Sequence, residues 1–302
     1  MGDETYDARY YAEYGGMPYG RFEHWTRFFG TVADHIVSEI GPRRVLDAGC
    51  ALGLLVEALR TRGVDAEGVD LSSYAIANVY EPIKAFCRQG SIGDDFGSRY
   101  DLIVSFEVVE HLPAREGEAA VANICRHTDD VLLSSTPFHH HHELSHVNVQ
   151  PSEYWAELFA RHGFYRDVDF DASYITPWAT RFRRSGEPPH RIVRGYERRY
   201  WEMTLERNDT RAYSMQMQQE LAAKIHRIEE LDASVAAAQA DLAAARAELA
   251  AVRTTLQVQL RTEQETRAAS ERSLMQARDR IFHMERSLFW RARTVLQRLL
   301  GR

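Results

Sequence analysis

The chain has 302 residues, 44% of them hydrophobic, and a formal net charge of −7 at pH 7, which leaves no overall basic footprint for nucleic acid. It contains no run of about 18 apolar residues that would span a bilayer. Its three cysteines, Cys50, Cys87 and Cys125, are scattered without C-x-x-C spacing, as expected of a reduced, cytoplasmic protein.

The opening residues, MGDETYDARYY, are acidic and aromatic, unlike a secretory leader. Residues 1–40 carry Tyr6, Tyr10, Tyr11, Tyr14 and Tyr19 with Gly15, Gly16 and Gly20. Tyrosines provide flat apolar surface with a polar tip. The segment reads either as a lid over a ligand or as a helix-packing arm.

Residues 43–70, RRVLDAGCALGLLVEALRTRGVDAEGVD, read as strand, glycine turn, helix and second strand. Val45 and Leu46 lead into Asp47, the turn runs from Gly49 through Cys50 and Ala51 to Gly53, and a helical pattern begins at Leu54. Glycines there let the backbone approach a ligand closely. Asp70, ending the second strand, can accept both hydroxyls of a ribose. Further strands are expected at Tyr100–Phe106 and Val131–Ser135, with helices over 71–86 and 116–127. Strand alternating with helix predicts an α/β fold: a Rossmann-like, doubly wound, mostly parallel sheet that binds ligands at the carboxyl ends of its strands.

VLDAGCALG, GVDLS and YDLIVSFEVVEHL, in that order, resemble motifs of class I S-adenosylmethionine-dependent methyltransferases over residues 40–170. The resemblance implies S-adenosylmethionine as cofactor. Asp47, Gly49, Cys50, Ala51 and Gly53 would support its methionine part, Asp70 and Leu71 its ribose, and Ser91 and Ile92 its adenine. Phe106 and Glu107 would complete the site. Ala51 stands in place of the usual middle glycine, and Ser91 where many members carry an aspartate.

Methyl transfer to an alcohol needs a general base or a divalent cation to help remove the proton. Glu107-x-x-Glu110-His111 resembles the metal ligands of ubiquinone-pathway O-methyltransferases and of small-RNA 2′-O-methyltransferases, with His146 at the place of a further ligand. Two carboxylates and two imidazoles suit Mn²⁺, Fe²⁺ or Zn²⁺ better than Mg²⁺. In metal-free members a Glu-His-Leu stretch stabilises the loop beside the cofactor instead. His139–His142 cannot all be ligands, because adjacent side chains diverge. The catalytic candidates are His111, His146 and His140.

A helix is expected after Pro151, ending at Gly163, with closing strands at Asp167–Tyr174 and Ile192–Tyr196. Between them, Pro177–His190 with Arg181, Arg183 and Arg184 reads as a basic loop, either solvated or facing an anionic acceptor such as a nucleotide-sugar.

The fold domain is placed at 41–200 and a linker at 201–213. Over 214–288 the seam Ile228, Leu231, Val235, Ala238, Leu242, Ala245, Leu249, Val252, Leu256 alternates in steps of three and four, as in a long α-helical coiled coil. Beyond it the phase moves by four, to Leu260, Arg267, Leu274, Ile281 and Leu288, which is a stutter. Residues 289–302 form a basic amphipathic tail with no acid after Glu285, suited to an anionic bilayer or a partner. This ending, a coiled coil and then an aromatic-basic tail, resembles those of bacterial cell-surface glycan assembly enzymes. The expected function is O-methylation of a sugar or glycan by a cytoplasmic enzyme, peripheral at the inner face of the membrane. The coiled coil would pair it with another copy or a hetero-partner. Two rivals are a metal-dependent O-methyltransferase of a small molecule or RNA end, and a coiled-coil scaffold with an idle nucleoside-binding domain.

Overall fold

A computed structural model describes residues 3–13, 17–138, 145–299 and 301. The chain divides into two compact units, Met1–Arg207 and Asn208–Arg302.

The first unit is built on seven strands: β1 (Arg44–Ala48), β2 (Asp65–Asp70), β3 (Cys87–Gln89), β4 (Leu102–Phe106), β5 (Asp130–Ser134), β6 (Phe164–Arg166) and β7 (Thr180–Arg184). Their order across the sheet is β3-β2-β1-β4-β5-β7-β6. The first five are mutually parallel, and β7 runs antiparallel to both β5 and β6. The first strand pairs β2 on one side and β4 on the other, so the winding direction reverses between β1 and β4. A crevice opens at such a reversal, outside the carboxyl ends of the strands.

Strand residues alternate between two cores because successive side chains point to opposite faces. Val45, Leu102, Val104 and Leu132 face one core, where α2 (Glu23–His35) contributes Val32 and Ala33, and α3 (Leu54–Arg60) contributes Leu55, Val56 and Leu59. Leu46, Ile103, Val131 and Leu133 face the other, covered by Val121 and Ile124 of α6 (Ala114–His127) and Trp155, Leu158 and Phe159 of α7 (Ser152–Arg161). Both faces are buried, which is why the central strands read as unbroken apolar runs. Between β2 and β3 lie two short helices, α4 (Ser73–Ala77) and α5 (Glu81–Lys84), where one longer helix over 71–86 was expected. Near the N-terminus, α1 (Ala8–Glu13) precedes α2.

Two expectations for the end of this unit are corrected. The closing strands lie at β6 and β7 rather than at Asp167–Tyr174 and Ile192–Tyr196; Ile192–Tyr196 is helical, within α8 (Pro189–Leu299). Residues 201–213, expected as a linker, are helical, and the boundary between the two units falls among them. The basic loop contains strand β7, and the arginines that β7 carries are committed to acids. Arg181 pairs with Asp130 and Asp167, Arg183 faces the same two carboxylates, and Arg184 reaches Asp129 at 2.6 Å. Two side chains from the start of α8 close the edge: Arg198 binds Asp169 at 2.6 Å, and the Tyr196 hydroxyl accepts from Arg166 N.

The second unit is helical up to Leu299, and α8 buries no residue along its length. Its apolar seam stands open, with Ile228 57%, Leu242 51% and Leu249 70% exposed.

Candidate active site

One cavity of about 350 Å³ occupies the crevice at the β1–β4 reversal. Its floor is the turn after β1. Gly49 sits at φ +97°, and a Cβ there would lie 2.3 Å from Val108 Cγ2, so no side chain fits. Gly53, at φ +71°, would press a Cβ to 2.9 Å from Ile83 Cδ1. Ala51 holds φ +46°, a left-handed conformation that glycine adopts more cheaply. Its replacement of the middle glycine therefore keeps the turn at a cost of roughly 1 kcal/mol.

Asp70 clamps this turn. Its Oδ2 accepts from Ala51 N at 2.7 Å and its Oδ1 from Ser72 N at 2.8 Å. The carboxylate is thus aimed before any ligand arrives. Asp47 is buried beneath, and its pKa is pushed up to about 8, first by burial and then by the charge of Asp70. Ser91 and Ile92 line the far wall. Asn123 of α6 holds their loop, its amide donating to Ile92 O at 2.9 Å and to Asp94 O.

At the opposite wall the chain leaves β4 through Glu107, which takes φ +53°. Strain of this kind persists only where the surroundings over-determine it. Here the Glu107 amide donates to Ser134 O at 2.8 Å, while its Oε1 accepts from Trp178 Nε1 at 2.9 Å and from Ser134 Oγ. The kink directs the next turn, Val109–His111, back under the cavity. Burial, with His146 as the second cause, lowers the His111 pKa to about 4, so the ring is neutral near pH 7. Its Nδ1 lies 3.3 Å from Ser145 O. A carbonyl only accepts, so Nδ1 carries the hydrogen in this contact.

Ligand atoms of Glu110, His111 and His146 lie within 4.8 Å of one another. Glu110 is fully buried; Thr136 N donates to its Oε1 at 3.3 Å, and its Oε2 has no hydrogen-bond partner among the described residues. Burial and then Glu107 hold its pKa well above the carboxylate range. A cation would relieve both conditions, and one oxygen with two nitrogens suits Mn²⁺, Fe²⁺ or Zn²⁺. The cluster differs from the expected ligand set by one residue: the Glu107 carboxylate is held by Ser134 and Trp178 instead. His140, with the rest of residues 139–144, lies outside the described residues.

The roof is aromatic. Tyr6, Tyr10, Tyr11 and Tyr19 line the cavity from the N-terminal arm, whose backbone is anchored where Ser72 Oγ donates to Tyr6 O at 2.6 Å. The Tyr6 ring stands edge-on to His111 at 5.9 Å. Trp25, Phe28 and Phe29 of α2, with Thr176 and Trp178, complete it. These five were not anticipated as site residues. The signal for the first three was an aromatic run, HWTRFF, that reads equally as core.

Of the expected cofactor residues, Asp47, Gly49, Cys50, Ala51, Asp70, Leu71, Ser91, Ile92, Phe106 and Glu107 line this cavity. Gly53 lies below it, at the start of α3.

Residues 21–168 match the family model described as a methyltransferase domain. The ubiquinone biosynthesis O-methyltransferase of Alkalilimnicola ehrlichii is 33% identical over 79 residues, 24% of this chain and 32% of that protein. The enzyme of the same name from Azorhizobium caulinodans is 37% identical over 76 residues, 23% of this chain and 30% of that protein. The match thus spans about a third of these relatives' length. Among solved structures, an amino pentose methyltransferase from Micromonospora echinaspora, with S-adenosylmethionine bound, shares 18% identity over 55% of this chain and 93% of its own, with a TM-score of 0.45. Magnesium protoporphyrin IX methyltransferase from Synechocystis shares 17% over 61% and 98%, with a TM-score of 0.48. The front of the chain is a class I S-adenosylmethionine-dependent methyltransferase domain. Its cofactor is S-adenosylmethionine, which the ligand-shaped turn at Gly49 and the aimed Asp70 carboxylate fit.

Proposed function

We propose that the protein is an O-methyltransferase acting on a hydroxyl carried by a ring-shaped acceptor with a flat apolar face. The observation that carries this reading is the juxtaposition within one cavity of the clamped Gly49–Asp70 turn and the neutral His111 under an aromatic roof. S-adenosylmethionine, when bound, supplies a methyl group on a positively charged sulfur. The chain supplies the rest. Asp70 and the Gly49 turn orient the cofactor end, and the tyrosines with Trp25 and Trp178 exclude water and seat the acceptor ring. Nε2 of His111 takes the hydroxyl proton. Orientation of this kind contributes several kcal/mol to the barrier reduction, and a positioned base typically adds about 10²–10⁴-fold.

The names of the curated relatives support a hydroxyl acceptor. A sugar ring and a phenolic ring both fit an aromatic wall. The pairing of Arg181, Arg183 and Arg184 with acids withdraws the basic loop as a reason to favour an anionic nucleotide-sugar.

A second reading rests on the Glu110–His111–His146 cluster. These three residues would hold a divalent cation, which would acidify the acceptor hydroxyl in place of a base. Incubation with labelled S-adenosylmethionine and separate sugar, glycan, phenol and RNA acceptors tests the acceptor class. Methyl transfer to nitrogen alone, or none to any hydroxyl, overturns the proposal. Turnover abolished by chelator and restored by Mn²⁺ selects the metal reading; full turnover in chelator selects His111 as base.

A further inference from the structure

The last turns of α8 carry large apolar residues where a coiled coil does not place them. The seam passes through Ile281 and Leu288 and continues at Val295. One residue after each stand Phe282, Phe289 and Leu296, a second stripe about 100° round the helix. At the same position after the earlier seam residues Ile228, Val235, Leu242, Leu249 and Leu256 stand Glu229, Ala236, Ala243, Ala250 and Gln257. A partner helix laid along the seam covers the seam line and leaves the second stripe to solvent. All three stripe residues stand exposed, Phe289 most of all at 80%.

Beside the stripe, at about 40° further round, lie Arg286 and Arg293, and beyond them Trp290. The Arg286 guanidinium sits over the Phe282 ring at 5.7 Å, so cation and aromatic form one continuous face. From Arg286 to Arg302 the chain has five arginines and no acid. A face of Phe, Leu, Trp and Arg matches the boundary of an anionic bilayer, where rings enter the acyl edge and guanidinium groups meet phosphates. Among the described residues no helix is long and apolar enough to cross a membrane, so such a contact lies on the surface.

We propose that the Phe282–Leu296 stripe, with Arg286, Arg293 and Trp290, binds the surface of an anionic phospholipid bilayer, independently of the partner that covers the seam. The full chain should float with vesicles of phosphatidylcholine mixed with phosphatidylglycerol, remain behind with phosphatidylcholine alone, and release at high salt. Arg286→Gln with Arg293→Gln should lower partitioning by roughly tenfold or more, and Phe289→Glu with Trp290→Glu should abolish it. Both variants should keep the assembly state and cofactor affinity of the parent, since the altered side chains are exposed and off the seam. Absence of flotation with anionic vesicles, or equal flotation of the variants, overturns the proposal and leaves the face to protein contacts. Equal flotation with neutral vesicles overturns the role of the arginines.

Discussion

The two units of this chain make opposite use of their apolar residues. In Met1–Arg207 they close on themselves: Leu46, Leu102 and Leu132 have no exposure at all. In Asn208–Arg302 they are turned outward, and none in α8 is buried. A domain that satisfies its own core can hold side chains to the tolerance that chemistry requires. A helix with an open seam leaves its apolar residues to be covered only by what it meets. The comparison implies that damage to the first unit appears in cofactor binding, and damage to the second in assembly and attachment.

The largest effect is expected at Gly49. Valine there meets Val108 within 2.3 Å and must adopt φ +97°. Left-handed strain and overpacking together cost about 2–5 kcal/mol. Calorimetry should find no S-adenosylmethionine binding, with a lowered melting temperature. Retained affinity would remove the close approach of the ligand to this turn.

Asp70→Ala comes next. It removes the proposed ribose acceptor and also the partner of Ala51 N and Ser72 N. Loss of a charged hydrogen bond costs about 1.5–3 kcal/mol, so the dissociation constant should rise roughly 10–100-fold.

Asp47 gives a smaller, pH-dependent effect. Its folded pKa, about 8, lies above the usual aspartate value of 3.8. The folded state therefore holds a proton that the unfolded chain releases. The associated stability is complete below about pH 4 and is lost as pH rises to about 8. Asp47→Asn should flatten this slope, so that the unliganded variant gains on the parent between those limits in melting experiments. Identical pH profiles would contradict the buried, protonated carboxyl.

The smallest effect on the chemistry is expected from the second unit. Leu249→Lys places a charge in the seam and should reduce the assembly size seen by light scattering, while the affinity for S-adenosylmethionine stays unchanged. A monomeric parent would refute the coiled coil, and a weakened cofactor site would refute the independence of the two units.

Legibility followed the range of the interactions. The β1 turn and Asp70 could be read because the glycines, the acid and the apolar runs around them are near neighbours in sequence, and their backbone requirements are local. The seam of α8 was legible for the same reason, a periodicity that needs no tertiary partner to be seen. Ile192–Tyr196 was misread as strand: Ile192, Val193 and Tyr196 are residue types that favour strands, but the helix that begins at Pro189 runs through them. The basic loop was misread because Asp129, Asp130 and Asp167, which neutralise it, come from other parts of the sheet.

From its sequence alone, then, this protein is a parallel α/β nucleoside-binding domain followed by a seamed helix, since strand period, glycine turns and heptads are properties of short segments. Only the tertiary structure decided that Asp70 clamps the turn, that Trp178 and Ser134 hold Glu107, and that Glu110, His111 and His146 converge. Each of these depends on the register and order of strands, through which residues distant in sequence share one crevice, and on burial, which sets the protonation of Asp47, Glu110 and His111.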